Sequence, residues 1–287
     1  RLAYKRLIKD DVDSETAVEW SKAIAGDFGK LKGASEKDPL VATDIEQLAH
    51  LGPEEIARVE TLADRLAGEN RPPTDEEIDD LLVKNPKAVD IALFGRMLAA
   101  KPSYNVEAAA QVAHAFTADE VQVEDDFFTA VDDLNEGVED VGAGHMGEVE
   151  FGAGVFYLYV CIDRHSLLQN LGGDEALTAE ALRVLGEAAA TIAPTGKQNT
   201  FASRARASFV LCEVGDDQPR TLAAAFFEPI PRRPKAGEGP IGSAIERLKQ
   251  ARERMAKVYG KSWDEDAFLD AHNGEGALGA ILDRIAS

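Results

Sequence analysis

The sequence predicts a mixed α+β protein. Three observations carry that expectation. Apolar residues recur at three- and four-residue steps over several long stretches, the period of a helix packed on one side. Other stretches are apolar at consecutive positions, VFYLYVCI after Gly154 above all, as in a strand covered on both faces. The strands found in this way are too few for a doubly wound sheet, and no internal repeat is visible.

In chain order, the first stretch reads as helical. Pro53 stands where a first helical residue would, Ile56, Val59, Leu62, Ala63 and Leu66 follow at helical spacing, and Gly68 is the expected terminator. Thr74 with Glu77 forms a capping-box pattern ahead of Ile78, Leu81 and Leu82. A further helix is expected across Val106 to Phe116. Glu120 to Val123 reads as a strand, with Val121 and Val123 alternating. Asn135 to Gly147, rich in glycine and acid, reads as a long exposed loop before the strand from Gly154 to Ile162. Leu177 to Ile192 repeats Leu182, Leu185, Ala189 and Ile192 at helical steps, and Ser208 to Val214 is another strand. Pro229 to Gly242 holds four prolines and three glycines and reads as a linker. A last amphipathic helix is expected from about Ile241 to Val258, with Ile245, Leu248, Ala251, Met255 and Val258 on one side.

The 287 residues, 45% apolar and 29% charged, fit a soluble globular chain with room for a sizeable core. Val155 to Ile162 falls far short of the ~20 apolar residues of a membrane helix, and Arg1 to Asp13 lacks the pattern of a signal peptide. Cys161 and Cys212 form no disulfide framework or zinc pair and read as inert buried thiols of a cytoplasmic protein. The net charge of −21 by itself argues against a nucleic-acid partner. A phosphate backbone, however, samples one groove and not the whole surface. Acid crowds Asp10 to Glu15, Glu54 to Asp80 and Asp119 to Asp140, whereas Lys197 to Arg206 carries Lys197, Arg204 and Arg206 and no acidic residue.

Enzyme motifs fail when tested. Thr195-Gly196-Lys197-Gln198 resembles the end of a P-loop, but Thr191 stands where its first glycine belongs and Gln198 where Ser or Thr belongs. Glu124-Asp125-Asp126 and Asp132-Asp133, with His114 and His145 nearby, have the donor types of a metal site, yet show no dedicated ligand spacing and read better as a solvated acidic face. No GxSxG elbow is present. Phe127-Phe128-Thr129 is more informative, because two adjacent aromatics cannot both face one core from a strand. One reading buries one of them; the other makes them a wedge against stacked bases. Met97, after an apolar run, reads as a core methionine on periodicity alone.

Several blocks, in order, carry a resemblance. They are VDIALFGRM from Val89 to Met97, Ala113-His114-Ala115, DFFTAVDDL from Asp126 to Leu134, Gly144-His145, Glu150-Phe151, the Gly154 strand, QNLGG from Gln169 to Gly173, and PTGKQNTFA from Pro194 to Ala202. From about Trp20 to the C-terminal helix the chain resembles the backbone subunit of the type I-E CRISPR Cascade complex, the CasC family. That resemblance implies an RRM-like (ferredoxin-like) palm, a helical finger domain and a protruding thumb hairpin. Fingers would span Arg1 to about Ala110, the thumb about Ala118 to Glu150, the palm Phe151 to Pro231, and a linker with helices the rest, Arg232 to Ser287. Family members begin earlier, with a palm strand and a basic segment, so the N-terminal palm strand is expected to be missing from this sequence.

The function so implied is antiviral defence without enzymatic activity and without cofactor or metal. Copies of the chain would polymerise along a CRISPR guide RNA, displace one base at each interval, and meet target DNA through the guide and other Cascade subunits, with no membrane partner. Met97, Phe127, Phe128 and Thr129 match the family's residues around the displaced base, and Lys197 and Gln198 match a palm loop near the RNA backbone. Arg204 and Arg206 join them on charge. Two other classes compete: a metal-dependent RNA-cleaving relative, with Asp125, Asp126 or Asp132 as candidates, and an acidic protein-binding scaffold.

Overall fold

A computed structural model describes residues 1–33, 35, 37–130, 145–231 and 239–287. Among these are ten α-helices and nine short strands, so the α+β class stands. The chain divides into two compact units, one of residues 1–111 and 160–184, the other chiefly of residues 112–159 and 185–285. In chain order the elements begin with helices α1 (Leu2–Lys9), α2 (Ser14–Phe28), α3 (Pro53–Glu69), α4 (Asp75–Asp79) and α5 (Val89–Phe94). Strands β1 (Ala110–Val112), β2 (Phe116–Thr117), β3 (Glu124–Ala130), β4 (His145–Phe151), β5 (Phe156–Tyr157) and β6 (Val160–Ile162) follow. After these come α6 (Arg164–Asn170), α7 (Glu175–Thr191), α8 (Gln198–Phe201), β7 (Phe209–Val214), α9 (Pro240–Tyr259), β8 (Glu265–Asp270), β9 (Glu275–Gly276) and α10 (Leu278–Ala286).

The first unit is built on α1, α2 and α3. Leu7, Ala17, Trp20, Ile24, Val59, Leu62, Ala63 and Leu66 form its core, joined by Leu81, Leu82 and Leu98. Asp13 caps α2 by accepting the amides of Glu15 and Thr16. The helix begun by Pro53 runs through Gly68 and ends where Asn70 turns left-handed, so Asn70 is the terminator and Gly68 is not. Thr74 and Glu77 make the reciprocal capping box, although the helix they start is only five residues long.

In the second unit, Ala118, Leu222, Phe226, Ile230, Ala244 and Leu248 make the core. Tyr157 packs its ring 5.5 Å from that of Phe116 and 5.3 Å from that of Phe226, and its hydroxyl accepts the Leu222 amide. β7, β8 and β9 form the one three-stranded sheet among the described residues. Beside it Arg220 and Arg252 lie over Trp263, 4.7 and 4.0 Å from the ring centroid, and both bind Glu213.

Several sequence expectations are corrected. Val106 to Phe116 is extended and not helical, because backbone partners claim it: Val106 bridges Arg96, the Ala109 carbonyl accepts from Asp163, and β1 pairs with β6. Glu120 to Val123 is no strand, and the ladder begins one step later at Glu124. The strand expected from Gly154 to Ile162 splits into β5 and β6, with Phe156 and Leu158 exposed, so it is not covered on both faces. Cys161 is only half-buried there, while Cys212 in β7 is buried, and burial pushes its thiol up to about 11. Both ends of the Pro229–Gly242 linker are structured: Ile230 bridges Asp119 inside the core and Pro240 starts α9. Residues 145–147 of the expected loop belong to β4, and its other residues lie outside the described ones. On α9 Ile245, Leu248 and Ala251 face inward, but Val258 is exposed. Among the described residues no helix is long and apolar enough to cross a membrane.

Candidate functional site

In the first unit the segment around Met97 is anchored by a buried ion pair. Glu55, in the first turn of α3, and Arg96, just beyond α5, have no solvent-exposed side-chain surface and meet at 2.7 Å. The Glu55 carboxylate also accepts the amides of Gly52 and Val83. The Arg96 guanidinium donates in addition to the carbonyls of Tyr104 and Val83. All strong hydrogen-bonding positions of both groups are thus used, the condition under which charge is tolerated in a core. Arg96 is therefore structural. Its main chain exchanges two 2.9 Å hydrogen bonds with Val106. Gly95 precedes it at φ +78°, where a Cβ would lie 2.9 Å from the Val106 carbonyl, so only glycine suits that position.

This course of the chain buries Arg96 and Leu98 and leaves Met97 between them 71% exposed. Met97 is not a core methionine. The QNLGG block contributes here too, since the Asn170 amide donates to the carbonyls of Ala92 and Glu107.

In the second unit β3 and β4 form an antiparallel ribbon of two strands with Phe128 opposite Gly147, Phe127 opposite Glu148 and Thr129 opposite Met146. Successive strand residues point to opposite faces, so Phe128 lies on one face and Phe127 with Thr129 on the other. Both aromatics are exposed, Phe127 at 62% and Phe128 at 38%, and neither is a core residue. Phe128 rests over Gly147, where a Cβ would lie 2.8 Å from its Cζ. Sequence reasoning missed Met146, which is 62% exposed on the face of Phe127 and Thr129. No signal in the sequence marks it, because only the ladder register places it opposite Thr129.

The ribbon is fixed at its root by Asp119, which is buried. Its carboxylate accepts the Val155 amide at 2.7 Å, and its neighbours Ala118 and Glu120 exchange backbone hydrogen bonds with Ile230.

The PTGKQNTFA block forms a loop closed at its base, where the Ala207 amide donates to the Ala190 carbonyl. Gln198 staples it by donating to the carbonyls of Pro194 and Ser203. Lys197, left-handed at φ +58°, opens α8. Lys197, Arg204 and Arg206 are exposed, and among the described residues none of them pairs with a carboxylate. No acidic residue occurs between Glu187 and Glu213.

Asp125 and Asp126 point to opposite faces of the ribbon, which does not suit a shared ion, and Asp132 lies outside the described residues. Among the described residues no three His, Cys, Asp or Glu side chains converge as a metal site would require.

Comparison with known proteins gives the affiliation. The CT1975-like protein family matches residues 1–281, so the chain belongs to that family. The match starts at residue 1, earlier than Trp20, where the motif blocks place the resemblance. No curated protein matches the sequence. Among solved structures, the chain is similar to a subunit of a "CRISPR RNA-guided surveillance complex, pre-nicking", at 28% identity over 99% of this chain and 81% of that one, with a TM-score of 0.79. A subunit of another "CRISPR RNA-guided surveillance complex" is 32% identical over 69% of this chain and 77% of that one, with a TM-score of 0.57.

Proposed function

We propose that this member of the CT1975-like family is the backbone subunit of a type I-E Cascade surveillance complex. It polymerises along a CRISPR guide RNA, displaces a base at regular intervals, and so holds the guide ready to read target DNA. In this reading β3 and β4 belong to the thumb, residues 1–110 to the fingers, and an RRM-like palm lies within residues 151–231. The proposal gives the chain no bond-breaking step.

The observation that carries it is where the chain exposes large apolar side chains. Met97, Phe127 and Phe128 are all presented to solvent, at the positions that the resemblance expects around a displaced base. An apolar side chain held out from its own core is suited to parting a base step or supporting a splayed base. Met146 joins Phe127 and Thr129 in that role. Lys197, Arg204 and Arg206 supply sequence-independent attraction for phosphates, confined to one loop of a chain that is otherwise strongly acidic. Gln198 acts here by shaping the loop that carries Lys197. Sequence is then read by base pairing with the guide, as in other RNA-guided systems.

Co-expression with partner subunits and a CRISPR array, followed by extraction of bound nucleic acid, tests the reading. A discrete guide-length RNA protected in evenly spaced steps is the expected result. Protein that assembles with its partners free of RNA would favour the acidic scaffold instead. Metal-dependent RNA cleavage lost with Asp125→Asn or Asp126→Asn would make the chain an enzyme.

A further inference from the structure

We propose that Asn105 is a positioning residue that holds Met97 out of the first unit in one fixed orientation. The inference about the residue's purpose rests on the RNA-binding role proposed above; the geometry of the clasp does not.

Residues 96–106 fold back on themselves. Arg96 and Val106 exchange both backbone hydrogen bonds, which closes one end. Two residues along, a backbone partner for the Leu98 amide is replaced by a side chain, and Asn105 Oδ1 accepts that amide at 2.6 Å. The intervening turn is tied down as well. The Lys101 amide donates to the Leu98 carbonyl, and Lys101 Nζ reaches Asp27 at 2.5 Å and Asp79 at 2.6 Å. Met97 therefore sits between two residues whose main chains are both bonded and whose side chains are both buried. Its backbone has nowhere to turn, so its side chain points outward.

Asn105 itself is exposed and contributes nothing to the core. Its oxygen serves one amide, next to the one large apolar side chain of this turn that faces solvent. A backbone fixed on both sides of Met97 spares the contact the cost of ordering that segment when a base arrives.

The test compares Asn105→Ala, which removes the acceptor, with Asn105→Asp, which keeps it, in the full chain. Amide exchange at Leu98 and methyl relaxation of Met97 are read in the free protein, with Met255 as internal reference. Guide-RNA protection is read in the assembled complex. The alanine variant is expected to speed Leu98 exchange roughly two- to tenfold, the loss of one ordinary hydrogen bond, and to loosen Met97 and leave Met255 unchanged. It should also blur the evenly spaced protection, and the aspartate variant should restore all three. Unchanged Leu98 exchange and Met97 motion in the alanine variant would overturn the clasp. A loosened Met97 with sharp, unchanged protection would support the clasp and overturn the role of Met97 at the RNA.

Discussion

Met97 and Phe128 are both held out to solvent, on foundations of opposite kinds. Beneath Met97 lies a fully buried ion pair whose partners are 41 residues apart, together with a bridge to Val106 and the core that contains Leu98. Phe128 stands on two strands joined only to each other among the described residues, with a glycine as its seat. A two-stranded ribbon has little stability of its own, so its shape depends on its ladder and on the Asp119 root. The contrast teaches that Met97 is held by long-range packing within its unit, and Phe128 by local pairing that can adjust.

Breaking the rigid foundation should have the largest effect. Glu55→Ala leaves a buried guanidinium without its partner and should cost about 3–5 kcal/mol of stability, read as a shift in urea unfolding of the first unit. A loss under about 1 kcal/mol, the range of an exposed pair, would remove the contrast between the two regions. Acid should act next, on a neighbouring part of the same unit. The Arg71 guanidinium, and after it the Thr74 amide, hold the Glu77 carboxyl down to about 2, against an ordinary value of 4.5. Because the folded value is the lower one, this contribution is complete above about 4.5 and fades as the pH falls toward about 2. Exchange of the α4 amides should quicken over that window, and no change there would show that the capping box does not depend on Glu77 charge.

The compliant side should respond in function and hardly in stability. Phe128→Ala should alter stability by no more than about 0.5 kcal/mol, as for other exposed sites, and abolish the regular base displacement seen by footprinting. Gly147→Ala should act more mildly, by tilting the Phe128 ring away from its seat, and an identical footprint would mean the seat is unimportant. The stapled loop should show the smallest change. Lys197→Ala, Arg204→Ala and Arg206→Ala are each expected to lower the salt-dependence slope of RNA binding by about 1, with little change in which positions are protected.

What could be read from the sequence follows the same division. Helices α3, α7 and α9 were legible because their apolar spacing is a property of each segment alone. The capping box at Thr74 and the strand at Phe209 were legible for the same reason. The extended run around Ala110 was not, because its conformation is chosen by Arg96 and Asp163, distant in sequence. Adjacent aromatics at Phe127 and Phe128 flagged a side chain held off any core, since strand alternation forces one of them off a shared face, while the hairpin itself was expected only from the resemblance. Met146 carried no such flag, for it becomes a neighbour of Phe127 only once the register is known. The exposure of Met97 was hidden because an apolar residue in an apolar run looks like core until the clasp around it is seen. Gln198 stood out in its motif, but only the structure distinguishes a residue that shapes a loop from one that reaches a ligand.

The buried pair also constrains how this chain can change over generations. A descendant that loses Glu55 alone inherits a stranded cation, and one that loses Arg96 alone inherits a stranded anion with two amides still leaning on it. No single substitution offers a neutral route out. Among relatives these two positions should therefore be kept together or replaced together, while the exposed methionine beside them is free to drift wherever its contact is not needed.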